Sequence, residues 1–413
     1  MNLPNGWKYT KLSEIGSFSK GSGIKREDAN SGNIPAVRYG EIYTVHNEYI
    51  KDFYSFISED VAKNSVLLKK GDLLFSCSGE TKEDIGKCVA FVSDCTAYAG
   101  GDIIILRPQV SCDSKFLGFL CNSYFVNRQR YKYAQGDSIV HISVESLGKV
   151  KFMLPPLAEQ RKIAEVLCTQ DRLISLKEKL LEQKRRQKKW LMQTLLEVPH
   201  EGNEHAEKFS IGGVVIDKSG WKKEKLGNVC DNFTGLTYSP KDVQENGKLV
   251  LRSSNIVDGL LEFKNNVFVN MKVPKRVIVR ENDILVCVRN GSKSLIGKSA
   301  LITKDAAGMA FGAFMTILRA KNIYQIFLFY LWQSKFLQDQ IKISMGATIN
   351  QITNADIQNF TVFLPTLPEQ KIIAQVLSAA DKEIDLLKQE IELQKQKKKA
   401  LAQLLLSGTV RVK

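Results

Sequence analysis

Two stretches of this chain place apolar residues at the spacing of a helix with one buried seam, and each continues for about 40 residues. In the first, the seam runs through positions 163, 167, 170, 174, 177, 181, 184, 188, 191 and 195, of which Ile163, Leu167, Ile174, Leu181, Leu191 and Leu195 are apolar. The second repeats it 210 residues later, with Ile373, Leu377, Ala380, Ile384, Leu387, Ile391, Leu401 and Leu405. No Gly or Pro interrupts either seam. About 40 residues rising ~1.5 Å each make a rod of roughly 60 Å. A helix with such a stripe has to bury it, which predicts that the two pack on each other as a coiled coil. Both seams turn polar at matching places, Lys184/Gln394 and Lys188/Lys398. Polar seam positions set register or leave room for a partner. If these positions leave the pair open for partner helices, leucines at all four would stabilise the pair while weakening the partner's hold.

Each seam follows the same signature. Leu154-Pro-Pro-Leu-Ala-Glu-Gln-Arg-Lys-Ile-Ala-Glu-Val-Leu167 and Leu364-Pro-Thr-Leu-Pro-Glu-Gln-Lys-Ile-Ile-Ala-Gln-Val-Leu377 agree at nine of fourteen positions. The offset of 210 holds without a gap from Gly136/Gly346 through Asp171/Asp381 to Leu196/Leu406. Solenoid units run to about 20–50 residues, so this period is of another kind. The chain is two copies of one unit, each a globular part followed by a long helix. Pro155, Pro156, Pro365 and Pro368 lack amide donors and suit an extended segment or a first helical turn. Glu159 and Glu369 put negative charge beside the exposed N–H groups of that turn.

Gly6-Trp7-Lys8 and Gly220-Trp221-Lys222 open the two copies. The predicted organisation is a globular unit over 1–153, a central helix over 154–198, a polar linker over 199–219, a second globular unit over 220–363, a C-terminal helix over 364–407 and a tail over 408–413. Within the units, Lys70-Gly-Asp-Leu-Leu-Phe-Ser-Cys77 pairs with Glu281-Asn-Asp-Ile-Leu-Val-Cys-Val288, Ile85-Gly-Lys87 with Ile296-Gly-Lys298, and Ile103-Ile-Ile-Leu-Arg107 with Met315-Thr-Ile-Leu-Arg319. Such Val-, Ile- and Phe-rich runs bounded by Gly and Asp are strand-like, whereas residues 116–130 and 324–340 have helical spacing. Each unit is therefore mixed α+β. The sequence between the matched strands does not repeat, and a shared frame with two unlike loop sets predicts two recognition surfaces.

Charge adds a partner to this picture. The chain of 413 residues has formal net charge +15, which favours a polyanion. Residues 157–196 hold ten Lys/Arg against five Asp/Glu and residues 367–406 seven against six, so most of the excess lies outside the helices. Eight cysteines without CxxC spacing fit a reducing compartment, and the four histidines make no zinc pattern. The N-terminus has no signal-peptide pattern, and Ile326-Phe-Leu-Phe-Tyr-Leu-Trp332 is far short of the ~20 residues that span a bilayer. The expected location is cytoplasmic, away from membranes.

Catalytic motifs fail on spacing. Gly291-Ser-Lys-Ser-Leu-Ile-Gly297-Lys298-Ser299 has five residues between its glycines, where a P-loop has four, and Ala300-Leu-Ile-Thr303 behind it reads as a strand rather than the required helix. His200 and His205 stand five apart around Gly202, which reads as linker and not as a zinc-protease helix. Leu-Pro-Pro-Leu lacks the Asn or Asp before Pro-Pro of an amino-methyltransferase tetrad. The remaining candidates are loop residues able to read base edges or hold phosphates: Lys25, Arg26, Arg38, Lys82, Arg252, Ser253, Ser254, Asn255, Arg289, Asn290 and Lys293. The matched segments 136–141 and 346–351 close each unit's variable part.

The duplicated Leu-Pro-x-Leu-x-Glu-Gln-x-x-Ile-Ala-x-Val-Leu before a long helix, behind a unit that opens Gly-Trp and contains Gly/Asn-Asp-Leu/Ile-Leu and Ile-Gly-Lys, resembles the specificity (S) subunit of type I restriction–modification systems. The resemblance covers essentially the whole chain. It implies two target recognition domains, each reading half of a split, asymmetric sequence in double-stranded DNA, with the antiparallel helices as a ruler between the halves. It further implies a non-catalytic chain without a cofactor of its own. Two methyltransferase (M) subunits would bind S-adenosylmethionine, and restriction (R) subunits would use ATP and Mg²⁺. M-subunit contacts carry over to the helices, here through Leu157, Ile163, Leu167, Lys184 and Lys188, and through Leu367, Ile373, Leu377, Gln394 and Lys398. Base-reading positions do not carry over, since the recognition loops differ from member to member. Two other classes make distinct predictions. A coiled-coil scaffold would bind DNA without sequence preference, and a self-contained modification enzyme would bind S-adenosylmethionine itself.

Overall fold

A computed structural model describes residues 3–136, 140–197, 208–211, 214–345 and 350–412. The chain forms two compact units, residues 1–178 with 389–413 and residues 179–388. In the first, Lys8–Lys11 pairs antiparallel with Lys151–Leu154, tying the segment after Trp7 to the one before the central helix. Between them lies an antiparallel sheet in the order Gly16–Lys20, Ile103–Pro108, Leu73–Ser76, Cys88–Ala90. Its inner strands are continuous apolar runs because both faces are covered. Leu73, Phe75, Ile104 and Leu106 enter one core, and Leu74, Val89, Ile103 and Ile105 enter another. A smaller mixed sheet, Ser55–Ile57, Ile34–Val37, Tyr98–Ala99, Val66–Leu67, completes the α+β unit.

The second unit repeats this plan. Lys222–Lys225 pairs with Thr361–Leu364. Its main sheet runs Cys230–Thr234, Met315–Ala320, Ile284–Cys287, Ser299–Leu301, and its mixed sheet again has a parallel pair, Lys248–Leu251 with Ala310–Phe311. The helical runs read over 116–130 and 324–340 each resolve into two helices, Ser114–Cys121 and Tyr124–Tyr133, and Gln325–Gln333 and Lys335–Ser344. Ser123 and Ser334 break them by adopting extended backbone as the N-cap of the following helix.

The long helices span Leu157–Leu196 and Leu367–Leu406. Every seam position read from the sequence is buried or half-buried. Within the first unit Leu405 and Leu406 join Ile163 and Leu167 in one core; within the second, Leu195 and Leu196 join Ile373 and Leu377. The start of one helix therefore packs with the end of the other, antiparallel, in each unit. Three expectations change as a result. A compact unit takes half of each long helix instead of one whole helix. The linker over 199–219 contains a hairpin, Lys208–Ile211 with Val214–Asp217, whose Ile216 is buried in the second core. The tail is docked: Arg411 donates to Glu159 from Nε (2.6 Å) and Nη2 (2.8 Å), and Val412 packs on the first core. Glu159 also accepts from Trp7 Nε1 (3.0 Å), whereas Glu369 caps its own helix through the Thr366 amide (2.9 Å) and hydroxyl (2.7 Å). Pro156 occupies the place of Thr366, has no amide proton to give, and leaves Glu159 for other partners.

Candidate nucleic-acid interface

The repeated motifs build a frame. Asp72 and Asp283, nearly fully buried, each hold an arginine of the neighbouring strand bidentately: Arg107 at 2.8 and 2.7 Å, Arg319 at 2.8 and 2.6 Å. The residue before each aspartate has a left-handed backbone, φ +101° at Gly71 and +67° at Asn282, which explains why this position is Gly or Asn. Gln160 and Gln370 are also buried. Each donates to the carbonyl of Pro155 or Pro365 and accepts the amide of Asp113 or Tyr324, locking the helix start to the unit. The Ile-Gly-Lys turns place Gly86 and Gly297 at φ +65° and +83°, with their amides donated to Ser76 and Cys287 carbonyls.

On that frame the strand ends carry unlike groups. In the second unit Val288 and Arg289 donate their amides to the Phe314 carbonyl, and Arg289 bridges to Gln351 on its other side. The Arg289 guanidinium lies 5.1 Å over the Phe314 ring, which is 56% exposed. Phe314 lines a groove of about 730 Å³ together with Arg252, Ser253, Ser254 and Tyr238. Asn290 Nδ2 donates to Ser253 Oγ at 3.1 Å. In the first unit the same register puts Cys77, Ser78, Asp102 and His141: the Cys77 amide donates to the Asp102 carbonyl, Ser78 pairs with His141 along the chain, and Ser78 Oγ lies 3.0 Å from His141 Nδ1. Burial, then the Asp102 carboxylate, pushes the Cys77 thiol up, so it stays protonated near neutrality.

The predicted DNA contacts fall into three groups. Lys25, Arg26, Lys82, Ser254, Arg289 and Lys293 are exposed. Arg252, Ser253 and Asn290 are half-buried at the groove, with Arg252 Nη2 donating to the Asn265 carbonyl at 3.0 Å. Asn255 and Arg38 are spent on the fold. Asn255 is fully buried, accepting the Arg252 amide and donating to the Glu262 carbonyl. Arg38 Nε donates to Glu41 (3.2 Å) and Ser55 (2.9 Å). Phe314, Ser78 and Asp102 were missed, although the strand match 103–107 with 315–319 puts Asp102 and Phe314 in register. Segments 136–141 and 346–351 lie partly outside the described residues, as do His200 and His205. Residues 291–299 pass through one 3-10 turn, Lys293–Leu295, into the strand Ser299–Leu301, so no α-helix opens after Gly297 to aim its amides at a phosphate. Among the described residues no His, Cys, Asp and Glu cluster is arranged for a metal, and no helix is long and apolar enough to cross a membrane.

The polar seam is filled from within the chain, which corrects the expectation of a pair opened for partners. Lys188 Nζ meets Asp381 at 2.5 Å, and Lys398 Nζ meets Asp171 at 2.7 Å, the same pairing in both copies. Lys398 also bonds Glu48 (2.9 Å), Lys184 meets Glu383 (2.8 Å), and Gln394 accepts from Gln170 (2.8 Å). Ile163, Leu167, Ile373 and Leu377 are fully buried in the cores and present no surface to a partner. Of the ten predicted partner residues, Leu367 is exposed and Leu157 half-buried.

The model for the type I restriction modification DNA specificity domain matches this chain twice, over residues 4–183 and 218–395, and the chain belongs to that family. It is a type I restriction–modification specificity subunit with two recognition domains. The MjaVIII specificity subunit of Methanocaldococcus jannaschii is 24% identical over 437 residues, covering 100% of this chain and 95% of that relative. The EcoKI specificity subunit of Escherichia coli is 30% identical over 202 residues, 46% of this chain and 42% of its own. The S subunit of M. genitalium superposes with a TM-score of 0.56 at 14% identity, covering 98% of each chain. A structure from work on assembly and conformational transition of the type I R-M system gives 0.62 at 19%, covering 99% of this chain and 100% of that one. At these identities the structural likeness speaks for the fold.

Proposed function

We propose that this chain gives a type I complex its DNA specificity, each unit reading one half of a split, asymmetric target while the helices set the gap and hold methyltransferase subunits. The carrying observation is the frame itself: equivalent strand ends present Arg289, Phe314 and Gln351 in one unit and, over a buried Ser78, Asp102 and His141 in the other. Two such surfaces call for two unlike half-sites. Lys25, Arg26, Lys82 and Lys293 serve phosphates, so binding falls steeply with salt. With the seam occupied, M subunits dock on outward helix residues, each more than half exposed: Leu176 and Leu393 in the first unit, Trp190 and Leu386 in the second. Chemistry stays with the partners, S-adenosylmethionine on two M subunits and ATP with Mg²⁺ on R subunits, in the cytoplasm. The test is co-expression with the M subunit and mapping of methylated adenines in host DNA. One split motif with unlike halves is expected. A complex that assembles without a split motif overturns two-domain recognition.

A further inference from the structure

We propose that Arg289 is the residue with which the second unit reads a guanine in its half-site, an assignment that rests on the proposed role in DNA specificity. The backbone at Arg289 is held on both sides, by the Phe314 carbonyl (3.2 Å) and by the bridge to Gln351. Its guanidinium finds no hydrogen-bond or ion-pair partner among the described residues and stands 5.1 Å over an exposed Phe314 ring at the groove rim. Other arginines of the frame differ: Arg107 and Arg319 are neutralised by buried aspartates, Arg38 by Glu41, and Arg252 is half-buried with Nη2 spent on the Asn265 carbonyl. Arg289 is thus a planar fork of donors, stacked, exposed and unpaired. That geometry matches the O6 and N7 acceptors of guanine in the major groove, where a lysine point charge would serve a phosphate as well. Stacking on Phe314 restrains the fork before DNA arrives, so less rotamer freedom is lost on binding. Asn290, fixed to Ser253, and Lys293 flank it without any carboxylate in the loop 290–295. The equivalent position in the first unit is Ser78, whose hydroxyl is already shared with His141, so the first unit cannot read guanine in this way.

The test compares the complexes of wild-type chain and M subunit with those carrying Arg289→Lys and Arg289→Ala, by mapping methylated motifs and by binding to oligonucleotides. Arg289 is exposed and its side chain makes no hydrogen bond or ion pair among the described residues, so both variants should keep the fold. Arg289→Lys keeps the charge but loses the fork. It should cut the preference for guanine at one position of one half-site by roughly 5- to 150-fold, leaving the other half unchanged. Arg289→Ala should relax the same position. Should Arg289→Lys keep the full motif while Arg289→Ala weakens all sequences alike and lowers the salt slope by about one, the contact is to phosphate and the assignment falls. A wild-type motif with no guanine in either half overturns it as well, with two-domain recognition left standing. If wild type gives no split motif at all, the functional reading fails first and takes this assignment with it.

Discussion

Where the central strand of the main sheet ends, the first unit has Ser78 and the second Arg289, and around them most of the chemistry changes sign. The first unit continues into Glu80, Lys82, Glu83 and Asp84; the second continues into a loop whose one charge is Lys293. Asp102 stands where the second unit has Phe314. A few residues away nothing changes: Asp72 holds Arg107 just as Asp283 holds Arg319. The contrast is physical. Losing one member of a buried pair leaves an uncompensated charge at a cost of several kcal/mol, whereas an exposed substitution usually stays within about 0.5 kcal/mol. The two copies are therefore free to differ where they meet solvent and constrained to agree where charge is buried. One surface offers donors and the other mainly acceptors, which is what two unlike half-sites require.

The largest test of that contrast is Asp72→Ala against Asp283→Ala. Each should destabilise its own unit by about 3 kcal/mol, read as lost native-state hydrogen-exchange protection confined to that unit. A marked inequality would break the idea of a common frame. Next comes the seam. Lys398 serves two carboxylates and Lys188 one, so Lys398→Met should cost about 2 kcal/mol and Lys188→Met about 1. Leucine at these positions should likewise destabilise, reversing the expectation drawn from the seam pattern. Burial opposes the charge on Lys398, but Glu48 and Asp171 outweigh it and hold its pKa above the ordinary 10.5. A raised folded pKa gives stability that is complete below the unfolded value and lost as pH rises through the folded one. The first unit should accordingly weaken above about pH 10.5, and Lys398→Met should remove that decline in an alkaline unfolding series.

A third test has the opposite sign. Arg130 is buried with Nε and Nη1 unpartnered, and Ile341 occupies the equivalent helical position in the second unit. Arg130→Ile should stabilise the first unit by about 1 kcal/mol, seen as a higher urea midpoint; a loss would mean the guanidinium has a partner in solution. The smallest effect belongs to Tyr330, which donates to Asp381 at 2.8 Å and sits under Lys188 as Phe119 sits under Lys398. Burial and then Asp381 push its phenol above the ordinary range. Tyr330→Phe makes the two copies alike here and should cost about 1 kcal/mol, measured by the same denaturation.

Much of this was legible before any fold was seen. The repeat, the helix pair, the α+β units and the buried seam follow from periodicity, and periodicity is local: a residue's face on a helix or strand depends on its distance from its neighbours in sequence. Arg289, Asn290 and the groove residues Arg252 to Ser254 were named because basic, amide and hydroxyl side chains at loops and strand ends are the ones left to meet DNA once catalytic motifs fail. Asn255 looked the same in sequence as Ser254, and only its turn into the core separates them.

What stands opposite a seam residue is a different matter. Lys188 reads as an opening for a partner until Asp381, 193 residues away, is seen across from it. The same holds for the tail, whose Arg411 finds Glu159, and for the unit boundaries, which pass through the long helices because antiparallel packing gives each unit the start of one helix and the end of the other. A hydrophobic pattern specifies which face turns inward. The identity of the partner on that face depends on how distant segments align, and that alignment is set by the packing of the whole chain.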